Sequence, residues 1–215
     1  MKDILLACLG ASIGSFLGVL IDRFPHSSLI FPASHCNHCH HKLKAWDLVP
    51  ILSQFFLGFR CRYCQAPIPR WYACLELLSA YLVLAIAHDW ISFPMAILGW
   101  TSLILAIYDC KHKAYPFLVW GALTFIILLV TRLNLLFLIL LLLAYLAEKF
   151  SEKIGSGDFL YLASLSLLLD LGQLAWVVQI ASILGICYIL FFGKKQQSIP
   201  FIPFLFVGFL GQFLL

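Results

Sequence analysis

The stretch 116–147, PFLVWGALTFIILLVTRLNLLFLILLLLAYLA, decides the fold, because it reads either as one long helix interrupted at Arg132 and Asn134 or as two short ones turning near Thr131. The choice sets the side of the membrane on which every later segment emerges. Lys and Arg accumulate in cytoplasmic loops. With two helices, and the N-terminus outside, the inner loops carry Arg23, Lys42, Lys44, Arg60, Arg62 and Arg70, then Lys111 and Lys113, then Lys149 and Lys153, then Lys194 and Lys195. Only Lys2 and Arg132 of the 14 basic residues stay outside. A merged helix would carry Lys149, Lys153, Lys194 and Lys195 to the outer side, so two short helices joined by a tight turn are the better reading.

The rest of the chain has the same character. Of its 215 residues 63% are hydrophobic and 11% charged, against about 25% charged in soluble domains. That excludes a soluble globular protein and predicts an all-α polytopic membrane protein. A bilayer core needs about 20 residues of apolar helix, and about eight spans follow: 4–21, 72–87, 91–108, 116–131, 133–147, 159–171, 174–192 and 200–215. The first is not a secretory signal, since Asp3 offsets Lys2 and no small-residue cleavage pattern follows. Its Gly10, Ser12, Gly14, Ser15 and Gly18 suit a packed helix whose small residues let a neighbour approach. Trp46, Trp71, Trp90 and Trp120 fall near predicted borders, where aromatic belts form. The organisation is a first transmembrane helix (1–21), a basic cytosolic segment (22–71) and a seven-helix membrane domain (72–215). The net charge of +4 sits in juxtamembrane loops, so the lipid bilayer is the expected partner, and nucleic acid is not.

Within 22–71 stand HCNHC and RCRYC, which place Cys36 with Cys39 and Cys61 with Cys64. Two C-x-x-C knuckles can turn four sulfurs onto one ion, the tetrahedral set of a structural Zn²⁺ site. A reducing cytosol disfavours the alternative of two disulfides, and four thiolates leave no open position for catalysis. His35, His38, His40 and His41 crowd the first knuckle as solvated neighbours. Cys8, Cys74, Cys110 and Cys187 read as small buried hydrophobes.

Ten acidic residues remain to be explained. Glu76 is expected to pair with a nearby Arg or Lys. Asp109 closes the third span and Asp158 opens the sixth, so both fall at the cytoplasmic border. An acid at that depth is costly unless paired or functional. Helix capping would account for Asp158, and a plain interfacial position for Asp109. Against simple capping, Gly155 and Gly157 flank Ser156 and give the backbone freedom for another chain to approach. Two carboxyls brought together would share a proton, the logic of aspartic proteases.

Taken in order, these motifs resemble the type IV prepilin peptidases, bacterial inner-membrane aspartic proteases. GSFLGVLIDRFP at 14–25 resembles the family's first-helix signature, and 32–76 its cytosolic zinc segment. YDCKHKAYP at 108–116 resembles the stretch bearing the first catalytic Asp, and GSGD at 155–158 the family's G-x-G-D. The chain departs from the usual pattern at Gly18 and Asp22, where Asn and Tyr are common, at Tyr115, where Ile is usual, and at Leu160, where Lys is. The resemblance implies a catalytic pair of Asp109 and Asp158, with Gly155, Ser156 and Gly157 as a loop that admits substrate. It also implies removal of a short basic leader from prepilins or pseudopilins of pilus, secretion or DNA-uptake machines at the inner face of the cytoplasmic membrane. Many members also methylate the new N-terminus with S-adenosylmethionine, although no glycine-rich cofactor loop is evident here. The competing readings are a zinc-bearing scaffold and a cation transporter that uses intramembrane carboxylates.

Overall fold

The computed structural model describes residues 1–150, 155–192 and 199–212. The expected inner-loop residues Lys153, Lys194 and Lys195 therefore lie outside the described residues. Among those described, regular structure is entirely helical, and eight helices have ten or more residues. Three are long and apolar enough to cross a membrane: Lys2–Arg23, Phe93–His112 and Leu171–Phe191. Trp71–Ala87, Phe117–Leu128 and Ile202–Gly211 are shorter and apolar. The chain divides into two compact units, Met1–Ala96 and Ile97–Leu215.

The first unit is built on an antiparallel pair, α1 (Lys2–Arg23) and α3 (Trp71–Ala87). Glycines four residues apart line one face of α1, and that face meets α3. A Cβ at Gly10 would lie 2.6 Å from the Ser79 carbonyl oxygen, one at Gly14 2.7 Å from Glu76 Cα, and one at Gly18 3.0 Å from the Tyr72 ring. Such close approach brings backbone dispersion contacts that larger side chains would prevent. The segment between the helices holds a short 3-10 turn (Ala45–Leu48) and α2 (Leu52–Phe56). The Tyr72 hydroxyl of α3 donates to the Asp22 carboxylate of α1 and so closes the helix pair beside this segment. The segment itself is tied to α3. Glu76, only 4% exposed, accepts from Ile51 N at 2.6 Å and from Gln54 Nε2 at 2.8 Å. Glu76 thus takes backbone and amide donors from the segment above it rather than the Arg or Lys that its charge suggested. Ile51 is presented by a γ-turn in which Leu52 N donates to Pro50 O at 2.6 Å. There φ is 64 and ψ −60, a strained conformation for a β-branched residue.

The second unit contains α4 (Phe93–His112, entered from its first turn), α5 (Phe117–Leu128), α6 (Leu135–Phe150), α7 (Ser156–Ser166), α8 (Leu171–Phe192) and α9 (Ile202–Gly211). The 116–147 stretch is two helices. Thr131 N and Oγ1 both return to Ile127 O to finish α5, and Asn134 Oδ1 accepts from Phe137 N at 2.7 Å to start α6. The same side chain donates through Nδ2 to Ser166 O, at the end of α7. α7 stops earlier than the expected 159–171. Asp170 Oδ1 accepts from Gln173 N, and Gln173 Oε1 from Asp170 N, a reciprocal cap that opens α8. Trp120 belongs to no interfacial belt. It is 6% exposed, and its Nε1 donates to Ser164 Oγ at 2.6 Å and Leu160 O at 3.1 Å. Cys8, Cys74, Cys110 and Cys187 are exposed rather than buried.

Candidate functional site

The two C-x-x-C segments fold alike. In the first, Cys36 N donates to His41 O and His40 N to Cys36 O. In the second, Cys61 N donates to Ala66 O and Gln65 N to Cys61 O. His40 and Gln65, each directly after the second cysteine of its pair, both have positive φ, 56 and 59. The turns bring Cys36, Cys39, Cys61 and Cys64 together with all four sulfurs within 4.8 Å of one another. Cys36 Sγ and Cys64 Sγ are 3.8 Å apart, about the spacing of two corners of a tetrahedron with Zn–S bonds of about 2.3 Å. His38 N and Tyr63 N point at the Cys36 and Cys61 sulfurs, each at 3.4 Å, and such N–H groups stabilise thiolate charge. Burial alone would raise the Cys36 thiol. The N–H groups of Cys39 and His38, with the Cys61 and Cys39 thiols, outweigh it and pull the value down to about 6. No cysteine is disulfide-bonded. The nearby histidines are engaged elsewhere: His35 Nδ1 lies 3.0 Å from Ala33 O, and the His41 ring lies 3.7 Å from that of Tyr63. The donor set fits a thiolate metal such as Zn²⁺. Asp47 braces the second knuckle through Arg62 Nε at 2.7 Å and also accepts from Lys44 N and Tyr63 Oη.

In the second unit, Asp109 lies in the last turn of α4 and Asp158 in the first turn of α7. Both are half-buried, and their carboxyls are close enough for their charges to interact. Asp109 Oδ2 also accepts from Ile202 N at 3.3 Å. Ile202 is the first residue of α9, where helix N–H groups lack internal partners. Asp158 does not cap α7. The cap position is Gly155, and no side chain hydrogen-bonds there. The Asp158 carboxyl instead folds back over Gly155, whose Cβ, if present, would stand 3.3 Å from Oδ2.

Of the three residues expected to form a substrate loop, only Gly155 precedes the helix. Ser156 and Gly157 form its first turn. The face of Gly157 is occupied by the Tyr115 ring, 2.6 Å from where a Cβ would sit. Sequence reasoning missed Tyr115 and Ile202 as neighbours of the pair. The one available signal was Tyr115 standing where Ile was expected.

Residues 8–90 match the model of the bacterial peptidase A24 N-terminal domain, which covers most of α1, the cysteine knuckles and α3. The chain is 31% identical to a prepilin leader peptidase/N-methyltransferase of Aeromonas hydrophila over 91% of its own length and 84% of the relative's. It is 31% identical to one from Burkholderia pseudomallei (strain 1026b) over 93% and 81%. It is 29% identical to a type 4 prepilin-like proteins leader peptide-processing enzyme of Escherichia coli O78:H11 over 93% and 88%. No solved structure matches the chain. With similarity running through both units and over most of each relative, the chain belongs to the prepilin leader peptidase/N-methyltransferase family.

Proposed function

We propose that the chain is a membrane aspartic endopeptidase that removes the leader of type IV prepilins or related pseudopilins, with Asp109 and Asp158 as its catalytic pair. The observation that carries this reading is that two half-buried carboxyls, from the end of α4 and the start of α7, lie close enough for their charges to interact, in a member of this family. Two such groups in partly dry surroundings hold one proton between them. The ionised carboxylate takes a proton from water, whose oxygen attacks the scissile carbonyl carbon, while the protonated carboxyl gives its proton to the carbonyl oxygen. When the tetrahedral intermediate collapses, the C–N bond breaks and the leaving nitrogen takes a proton from the carboxyl that gained one. A diol hydroxyl returns a proton to the other, which leaves the leader with a new carboxyl end and restores the pair.

The eight helices of ten or more residues support eight membrane crossings, and the distribution of Lys and Arg among the loops supports an outer N-terminus. The Cys36, Cys39, Cys61 and Cys64 segment then lies in the cytosol, between a first helix at 1–21 and a seven-helix domain at 72–215. A Zn²⁺ held by these four sulfurs would fix the insertion, leaving no coordination position for water. In this orientation Asp109 and Asp158 sit at the inner membrane face, where a basic leader outside the bilayer joins an apolar helix within it.

S-adenosylmethionine finds no cradle at Gly155 and Gly157, because these glycines open a helix and the second is covered by Tyr115. Co-expression with prepilins followed by mass spectrometry of the mature N-terminus tests both activities. Wild type is expected to yield trimmed product, and Asp109→Asn and Asp158→Asn none. Processing by either variant refutes the pair. A mass increase of one methyl group on the product reports transfer.

A further inference from the structure

α2 and the turns on either side of it stand at a depth that a loop in the cytosol would not reach. Gly14 meets Glu76, its Cβ position lying 2.7 Å from Glu76 Cα. From Gly14 to Ile21, the last apolar residue of α1 before Asp22, is about 10 Å along the helix. Glu76 in turn holds Ile51 N and Gln54 Nε2. Even with its side chain leaning a full turn of about 5 Å toward the start of α3, both donors stay inside the plane of Ile21. Gln54, 7% exposed, turns α2 toward the helix pair. Leu52, Phe55 and Phe56 are left on the outer faces of α2, all exposed, Phe56 at 86%.

The backbone here is equipped for that depth. The N–H groups of residues 51–53, 55 and 57–60 all find acceptors within the protein. In lipid an unsatisfied backbone group is costly, whereas a loop in water needs no such closure. At the far edge of the apolar face stand Arg60 and Arg70, both exposed, with the Arg70 guanidinium 6.0 Å from the Phe59 ring centroid. Aromatic rings bordered by basic residues suit a lipid interface, and the anionic cytoplasmic leaflet complements the arginines.

We propose that α2 is a hook seated in the inner leaflet, with Leu52, Phe55 and Phe56 among lipid acyl chains at the headgroup boundary and Arg60 and Arg70 against lipid phosphates. The assignment rests on α1 and α3 crossing the bilayer. Held by Glu76 on one side and by lipid on the other, the turn needs no further packing partner from the chain. Cys61 follows Arg60 directly, so the second metal knuckle begins at headgroup level, its height set by α2 as well as by the two long helices.

The test uses the full-length protein in vesicles of phosphatidylethanolamine and phosphatidylglycerol. The photocrosslinker p-benzoylphenylalanine replaces Phe56 or, as a reference, Phe16, an exposed residue within α1. After irradiation, mass spectrometry identifies what each label has joined. The expected product at 56 is a lipid adduct, attached through an acyl chain, in a yield within about threefold of that at 16. A lipid adduct at 16 with none at 56 overturns the proposal and leaves the crossing of α1 intact. Joining of the label at 56 to another segment of this chain, or to a prepilin added to the vesicles, overturns it as well. Lack of lipid at both positions overturns it together with the crossing of α1. Should the variant at 56 not fold, the same label at Leu52 is read in the same way.

Discussion

Replacing Gly14 with Ala tests the packing that anchors the insertion. The added Cβ would lie 2.7 Å from both Glu76 Cα and the Leu75 carbonyl oxygen, and 2.9 Å from Ser79 Oγ. Carbon atoms pack at about 3.5–4.0 Å, so α1 and α3 must separate by about 1 Å, and two of the three obstacles are backbone that cannot rotate aside. Overpacking of this kind costs about 1–3 kcal/mol. Movement of α3 also draws Glu76 away from Ile51 N and Gln54 Nε2, and each such hydrogen bond contributes about 0.5–1.5 kcal/mol. The loss therefore falls at the upper end of the overpacking range. At about 2–4 °C per kcal/mol for a chain of this size, the expected drop in Tm is about 6–12 °C, followed by circular dichroism in detergent. Gly121→Ala is the matched control. Gly121 lies inside α5 with nothing within 4 Å of its absent Cβ, and Ala is the better helix former by about 1 kcal/mol. If Gly14→Ala melts at or above wild type, or shifts no more than Gly121→Ala, the close antiparallel packing of α1 and α3 is refuted.

Cys36→Ser is expected to abolish binding of a single zinc ion, measured by elemental analysis of the purified protein, with helical content preserved because α1 and α3 pack independently of the sulfurs. Asn134→Ala removes both the cap of α6 and the bond to Ser166 O; a lost cap costs about 1 kcal/mol, and thermal unfolding should register a decrease of about 2–4 °C. Burial raises the Asp47 carboxyl, but Arg62, Lys44 N–H and Tyr63 together hold it below its ordinary value. Its stabilising contribution is therefore complete above the unfolded value of about 3.9 and is lost as pH falls through the lowered one. With chelator present, protease resistance of the insertion should decline across that acidic window in wild type and show no such step in Arg62→Ala.

The sequence pattern carried the helical architecture because bilayer thickness and loop charge are both written directly in composition. It carried the metal cluster because a C-x-x-C spacing is a local turn, and the same hydrogen bonds at Cys36 and Cys61 show how local it is. Helix ends were less legible. Asp170 and Gln173 form a cap whose signature sits inside an apolar run, so the hydropathy pattern extends this span to residue 171 although α7 stops at Ser166. Glu76, Trp120 and Tyr115 were harder still. Each has a partner or neighbour 22 to 44 residues away, and a charge or aromatic ring at a predicted border gives no hint whether it faces lipid, water or another helix.

Those distant polar contacts explain how so short a helix can hold the Asp158 carboxyl in place. α7 has 11 residues, too few to be fixed by apolar packing along a membrane's full thickness. In lipid, where a polar group without a partner is costly, hydrogen bonds constrain a helix more than their number suggests. Trp120 Nε1 bridges Leu160 O and Ser164 Oγ, Thr124 Oγ1 lies 3.1 Å from Ser164 Oγ, and Asn134 Nδ2 takes Ser166 O. The bonds to Ser164 fix the helix's rotation, and the one to Ser166 O fixes its far end along the axis. Asp158 lies less than one turn before Leu160, so fixing the helix here also fixes the direction of the carboxyl. Polar residues that an apolar span would be expected to avoid are, on this face, what keeps the acid aimed at the end of α4.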